Sequence, residues 1–313
     1  MTDPRRRISR RAALAMGAGL GIATALPLPR ASFAASTAVL KKPIPSSGEM
    51  LPVVGLGTAV IFEFEADDPR KAERTKVIQT MIDGGGTLID TAPSYGQAEE
   101  RVGEILSETK SRDKVFLATK VRVADRTATE QQMREGLKKL RTTKLDLMQL
   151  HNVREPNQSL AQLREWKDQG ICRYVGMTSS FLRDYDAVAA TLQREKPDFF
   201  QINYSLADRE SETRLLPIAQ EVGAAVLTNL PFGRGKLFKA VQGKKLPEWA
   251  AEFDATSWAQ FFLKFLLSHP AVTAVIPGSD KPEYMVDNLK AGQGRMPDAA
   301  MRKKMIAHWE SLA

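Results

Sequence analysis

From residue 51 onward the hydrophobic period of this chain switches back and forth between two and 3.6, and that alternation constrains its fold more than any other feature. Short apolar runs recur at residues 53–58, 88–90, 115–120, 145–150, 174–178, 199–204, 225–229 and 274–276. Helix-period stretches separate them. Residues 68–83 are charged and helical, and Met133, Leu137 and Leu140 mark one face of a later helix. Leu160, Leu163 and Trp166 mark another, stopped by Gly170. Trp258, Phe261, Phe262, Phe265 and Leu266 fall at i, i+3, i+4, i+7 and i+8, a broad apolar helix face. Two last helices are expected near 281–291 and 301–312. Short apolar strands joined by helices make a parallel sheet buried on both faces. Eight such pairs over about 260 residues predict an α/β fold, a (β/α)8 TIM barrel in a single domain, with its site at the C-terminal strand ends. A doubly wound sheet would need a strand–GxGxxG–helix opening, and none is present. Gly17, Gly19 and Gly21 follow no strand.

Those three glycines lie in a different kind of segment. Ser9-Arg10-Arg11-Ala12-Ala13-Leu14 sits in a basic head, a weakly apolar Gly/Ala-rich run follows to Leu28, and Ser32 and Ala34 supply small residues at a cleavage site. This resembles a twin-arginine (Tat) export signal, so residues 1–34 are expected to be a leader engaging the Tat machinery and residues 35–313 the barrel. The expected location is periplasmic or exported, with no stable membrane span, because the apolar run is short and poor in large aliphatics. The leader carries six arginines against Asp3, which leaves about +3 of the formal +8 for the body. So small a bias, with no basic stripe interleaved with aromatics, excludes nucleic acid as a partner. Cys172 is the single cysteine and the three histidines are scattered, so no disulfide and no metal site are expected.

Polar residues close several of the predicted strands: Asp90, Lys120, His151 and Gln201. In a barrel they converge on one rim. Tyr95 follows Asp90 through a Pro-containing turn. A phenol is a poor acid near neutral pH unless a cation stands beside it, and Lys120 ends an otherwise apolar strand where an unpaired lysine is costly. Asp90 is its natural partner. Each of the four has an ordinary structural explanation alone; their placement at successive strand ends makes a catalytic tetrad of Tyr95, Asp90, Lys120 and His151.

With its flanks this set closely resembles the aldo/keto reductase family. The matching segments are Asp90-Thr91-Ala92 with Tyr95-Gly96 and Glu99, Ala118-Thr119-Lys120, and Asp146 to His151. Arg173-Tyr174-Val175-Gly176, Gln201 with Asn203-Tyr204, Pro231 to Gly235, and Ile276-Pro277-Gly278-Ser279 with Asp287-Asn288 follow. The resemblance implies reduction of an aldehyde or ketone by NADP, with NAD as the alternative. In that reading Tyr95 is the general acid, Lys120 raises its acidity, Asp90 orients Lys120, and His151 positions the carbonyl. It also implies a cofactor set of Gly57, Thr58, Asp90, Thr178, Ser179, Gln201 and Asn229 at the nicotinamide end. Phe232, Gly233, Arg234 and Gly235 would serve the pyrophosphate, and Ile276, Gly278, Ser279, Lys281, Asp287 and Asn288 the adenosine. Three positions depart from the family pattern: Ser179 stands where an asparagine is usual, Asn229 where a ring stacks on nicotinamide, and Tyr284 where an arginine often meets the 2′-phosphate. Loops at 60–67, 121–128 and 230–254 should form the substrate pocket, and Trp249 and Phe253 in the last either line it or pack. Two other functions stay open: a Schiff-base lyase using Lys120 as an amine, and a non-catalytic nucleotide-binding barrel.

Overall fold

A computed structural model describes residues 38–122, 125–155 and 157–312. The expected leader, residues 1–34, lies outside them. A short antiparallel hairpin comes first, β1 (Lys41–Pro43) and β2 (Met50–Pro52). Eight parallel strands follow: β3 (Leu56–Gly57), β4 (Leu88–Asp90), β5 (Phe116–Val121), β6 (Leu145–Leu150), β7 (Cys172–Ser179), β8 (Phe199–Asn203), β9 (Ala225–Asn229) and β10 (Val272–Val275). Each pairs with the next in chain order. The sheet closes on itself through parallel bridges joining Val54 to Val275 and Gly57 to Gly278, with Gly55 N–H donating to Val275 O at 2.9 Å and Gly57 N–H to Pro277 O at 3.1 Å. The predicted (β/α)8 barrel is therefore the observed fold, within one compact unit, Ala35–Ala313.

The first strand is shorter than the expected 53–58. At the seam the chain must pass very close to its last neighbour: a β-carbon on Gly57 would lie 2.7 Å from Ile276 O. Glycine there allows the approach but breaks the regular ladder.

The helices wrap the barrel: α1 (Arg70–Asp83), α2 (Ala98–Glu108), α3 (Arg126–Lys139), α4 (Ala161–Asp168) and α5 (Tyr185–Glu195). The layer behind β8 is split into α6 (Glu210–Arg214) and α7 (Leu216–Glu221), with Pro217 opening the second piece. The segment after β9 carries α8 (Lys236–Ala240) and a tight turn at Glu248–Phe253. Then come α9 (Trp258–Leu267), α10 (Pro282–Lys290) and α11 (Ala299–Leu312). Side-chain caps start two of them. Asp125 accepts from Ala128 N–H at 2.9 Å and Ser257 from Gln260 N–H at 3.1 Å, each satisfying a donor the helix leaves orphaned.

The hairpin was not expected. It seals the N-terminal end of the barrel: Ile44 and Leu51 join an interior cluster with Leu88, Phe116, Leu147, Tyr174 and Phe199. Lys42 Nζ donates to Leu267 O at 2.8 Å and Val272 O at 2.6 Å, and burial lowers its pKa to about 8. Tyr174 hydroxyl bonds Ser47 and Glu49, both at 2.7 Å. With one end sealed, the opposite rim is where a ligand can enter.

Candidate active site

Strand alternation places the site. Leu88, Ala118, Leu147 and Phe199 all belong to the barrel interior. Two residues further along each strand stand Asp90, Lys120, Gln149 and Gln201, so the same faces carry them inward one layer higher. Register aligns them: Lys120 pairs with Gln149 and Thr178 with Gln201. A polar layer thus sits on an apolar floor at the C-terminal ends of the strands.

Asp90 and Lys120 are each only 2% exposed. Lys120 Nζ donates to Asp90 Oδ2 at 2.7 Å and to Thr91 O at 2.8 Å. Gln149 Nε2 donates to Asp90 Oδ1 at 3.2 Å and Gln201 Nε2 to Asp90 Oδ2 at 3.1 Å. Burial works against the charge on Lys120, yet Asp90 and then Tyr95 outweigh it and hold the ammonium above its ordinary pKa. An ammonium has three donors; two go to Asp90 and Thr91, which leaves one unspent. Lys120 Nζ lies 5.0 Å from the Tyr95 ring centroid.

His151 meets Tyr95 edge-on, with ring centroids 6.0 Å apart and planes at 90°. Its backbone N–H donates to Val121 O at 2.8 Å, fixing it to the end of β5. Burial first, then the charges of Lys120, Arg122 and Arg154, drive its pKa down to about 3. The imidazole is therefore neutral across the physiological range and offers one N–H as donor. Ser94 Oγ lies 3.5 Å from its Nδ1, a weak contact. Four residues read from sequence are thus brought together: Asp90, Tyr95, Lys120 and His151.

Gln149 had no role assigned from sequence although it clamps Asp90 as Gln201 does. Its position two residues after interior Leu147 was the available signal. Ser180 was also missed: Asn203 Nδ2 donates to its carbonyl at 2.9 Å and Asn229 Nδ2 to its hydroxyl at 3.2 Å, tying the ends of β7, β8 and β9 together.

The other residues expected to hold a cofactor fall into two groups. Around Asp90, Thr58 hydroxyl donates to Asp90 O at 3.0 Å, Gly57 lies on the seam and Ile276 faces the interior. Thr178 Oγ1 accepts the N–H of Asn152 at 2.8 Å, which braces the turn after His151. Ser179 follows it on the opposite face of β7, beside Ile202, its hydroxyl buried without a partner. Gln201 Oε1 and Asn229 Oδ1 are likewise buried and unpartnered. The second group surrounds a cavity of about 440 Å³ lined by Phe232, Gly278, Asp287 and Asn288, together with Phe238, Ser257, Trp258 and Tyr284. Asn288 Nδ2 donates to Ser279 Oγ at 2.8 Å, and Lys281 Nζ lies 5.6 Å from the Tyr284 ring centroid. Both Asp287 oxygens are already engaged, by Ser257 and Gln260 at 2.6 Å each. Gly233, Arg234 and Gly235 all have positive φ, and Arg234 stands exposed on their turn. Trp249 and Phe253 pack against Phe261, with centroids 5.5 and 5.7 Å away, and neither lines the cavity. Among the described residues no three His, Cys, Asp or Glu side chains are grouped to hold a metal, and no helix is long and apolar enough to cross a membrane.

A sealed parallel barrel with a lysine–aspartate pair, a phenol and a neutral imidazole at its rim defines a class of oxidoreductase-like sites, and sequence comparison names it. A model of the aldo/keto reductase family matches residues 53–305, and the chain belongs to that family. Among curated relatives it is 32% identical over 216 residues to aldo-keto reductase YhdN of Bacillus subtilis, covering 64% of this chain and 63% of that one. It is 30% identical over 243 residues to methylglyoxal reductase YeaE of Escherichia coli, covering 75% of this chain and 84% of the relative. The aldo/keto reductase of Klebsiella pneumoniae, crystallised with NADP and acetate, superposes with a TM-score of 0.73 at 26% identity, covering 87% of this chain and 96% of that one.

Proposed function

We propose that this protein is an NADP-dependent carbonyl reductase that converts an aldehyde or ketone to the alcohol, reversibly, with Tyr95 as general acid. The single observation that carries the reading is the buried Lys120–Asp90 pair, braced by Gln149 and Gln201, with the ammonium 5.0 Å from the Tyr95 ring centroid. NADP fits the residues present. Gln201 gives its amide N–H to Asp90 and keeps an unpartnered oxygen, an acceptor for a carboxamide, since buried polar atoms are ordinarily paired. The aromatic walls of the 440 Å³ cavity suit a purine, with Lys281 beside it for phosphate. The bound K. pneumoniae relative supports the same cofactor.

When bound, the reduced nucleotide supplies a hydride from nicotinamide C4. The chain's own residues manage the oxygen. The N–H of Lys120 not spent on Asp90 or Thr91 serves the Tyr95 oxygen in turnover and so directs the phenol's own proton outward, toward the carbonyl oxygen. As that proton leaves, the adjacent ammonium stabilises the phenolate oxygen. Neutral His151 donates a hydrogen bond to the same carbonyl oxygen without competing as an acid. Donors fixed before the reaction stabilise the growing alkoxide with little reorganisation. A Schiff-base lyase needs a neutral amine, and Lys120 is held charged, so that alternative loses its support. Residues 1–34 complete the proposal as a Tat leader that directs the folded enzyme out of the cytoplasm; its support is the sequence pattern.

The test is NADPH oxidation, followed by loss of its near-ultraviolet absorbance, over an aldehyde and ketone panel. Tyr95→Phe should lower kcat by about 10²–10⁴-fold, the usual share of general acid catalysis, while the variant still binds NADPH. Tight NADPH binding by wild type with no carbonyl turned over would instead support the non-catalytic barrel.

A further inference from the structure

We propose that the carbonyl substrates of this site carry an anionic group, a carboxylate or a phosphate, held at the mouth by Arg122 and Arg154. The inference rests on the reductase reading and adds the class of substrate.

Both arginines are placed by the ends of β5 and β6. The last paired residues of those strands are Val121 and Leu150, and His151 N–H donates to Val121 O. Arg122 and His151 are the next positions along, and both continue the inward faces that carry Lys120 and Gln149. Arg122 therefore leaves the rim directly beside the imidazole. Its backbone is held by Gln132, which accepts from its N–H at 3.0 Å and donates to its carbonyl at 3.2 Å.

Arg154 is three residues beyond His151 on a turn held in place by several hydrogen bonds. Thr178 takes Asn152 N–H on its hydroxyl and Val153 N–H on its carbonyl at 2.9 Å, and Gln158 takes Arg154 N–H at 2.7 Å. The guanidinium lies 5.7 Å from the ring centroid of Phe181, in the segment after β7. That aromatic supports the cation without neutralising it.

Neither guanidinium has an ion pair or a side-chain hydrogen bond among the described residues. Neighbouring arginines do: Arg183, on the same Phe181 ring, pairs with Asp184 at 3.6 Å, and Arg126 pairs with Glu165. Both free cations are near enough to act on His151. A substrate whose carbonyl oxygen rests on His151 and Tyr95 therefore has its remainder facing two unspent positive charges. A separate groove beside Gly96 holds Glu63, Glu65 and Asp68, the last paired with Arg70. Glu63 packs so closely there that a β-carbon on Gly96 would sit 2.6 Å from its Oε1. The Arg122–Arg154 side of the mouth therefore admits an anion.

The purified protein is assayed with NADPH and three aromatic aldehydes: para-carboxybenzaldehyde, its neutral methyl ester, and para-formylphenyl phosphate. At low ionic strength at least one anionic aldehyde should exceed the ester in kcat/KM by about tenfold, the scale of two cations acting through partly aqueous surroundings. The larger ratio assigns carboxylate or phosphate. Raising ionic strength from roughly 0.05 to 0.5 M should erode the preference, and Arg122→Gln/Arg154→Gln should bring the ratio close to one. A wild-type ratio of one or below, or a ratio unmoved in the double variant, overturns this inference and leaves the reductase reading standing. No turnover of any of the three by wild type, or of any other aldehyde, overturns both.

Discussion

His151 gives the sharpest test of the electrostatics, through stability rather than rate. Its pKa in the folded protein is about 3, set first by burial and then by Lys120, Arg122 and Arg154. In the unfolded chain it returns to about 6.5. A group whose folded pKa is depressed contributes stability that is fully present above the unfolded value and is lost as pH falls toward the folded one. Above about pH 7.5 neither state protonates the ring, and His151 adds no pH dependence. Below about 6.5 the unfolded chain takes up a proton that the folded protein refuses, at ~1.4 kcal/mol per pH unit. At about pH 5 the loss is roughly 2 kcal/mol. Lys42 and Lys264, also depressed to about 8, act between that value and their ordinary one, so they leave the acidic window clear. Equilibrium urea unfolding of wild type and His151→Gln at about pH 7.5 and pH 5 isolates the effect, because every other titrating group is common to both. Wild type should lose roughly 2 kcal/mol more than the variant on acidification. A double difference below about 0.5 kcal/mol would refute the reasoning, and the neutral hydrogen-bond donor assigned to His151 would go with it.

Further outcomes follow from the same packing. Lys120→Met leaves Asp90 charged and buried and should cost about 3–5 kcal/mol in urea unfolding, whereas Asp90→Asn/Lys120→Met should recover most of that stability and none of the activity; equal stability of the single and double variants would contradict the pairing. Ile44→Asp, which puts a charge into the sealed end of the barrel, should cost several kcal/mol, and an unchanged midpoint would show that the hairpin does not seal it.

The barrel was legible because its strands are buried on both faces and read as unbroken apolar runs, and Asp90, Lys120 and His151 because a polar residue closing an apolar strand stands out. What escaped has physical reasons. Strands of three residues bounded by Pro43 and Pro52 leave no period to detect, so the floor hairpin was invisible. Gln149 lay within a recognised segment, but an inward amide gains meaning only when the carboxylate it must meet, 59 residues earlier, is known to be there. Trp258 was read as part of a core-facing helix stripe, and it does stack on Phe262 with centroids 5.7 Å apart, yet it also walls the nucleotide-sized cavity. Periodicity reports that a side chain leaves bulk water; it does not report whether protein or a ligand will cover it. Thr178 and Ser179 illustrate the converse. The pair reads as two hydroxyls at one site, but strand alternation sends them to opposite faces.

The polar layer also explains why this chemistry needs a closed barrel. Two opposite charges with side chains 1% and 2% exposed are a poor source of stability, because desolvating them costs about as much as their attraction returns. Asp90 instead uses its four acceptor sites as an anchor. Lys120, Gln149 and Gln201 all converge on it from three other strands, so the carboxylate cannot rotate without breaking bonds across the barrel. Lys120 is fixed in turn, with its ammonium 5.0 Å from the Tyr95 ring centroid. A site assembled on loops would hold the same residues with more freedom and would have to align phenol and ammonium anew in each turnover. In a closed sheet, strand register sets that alignment before any substrate arrives.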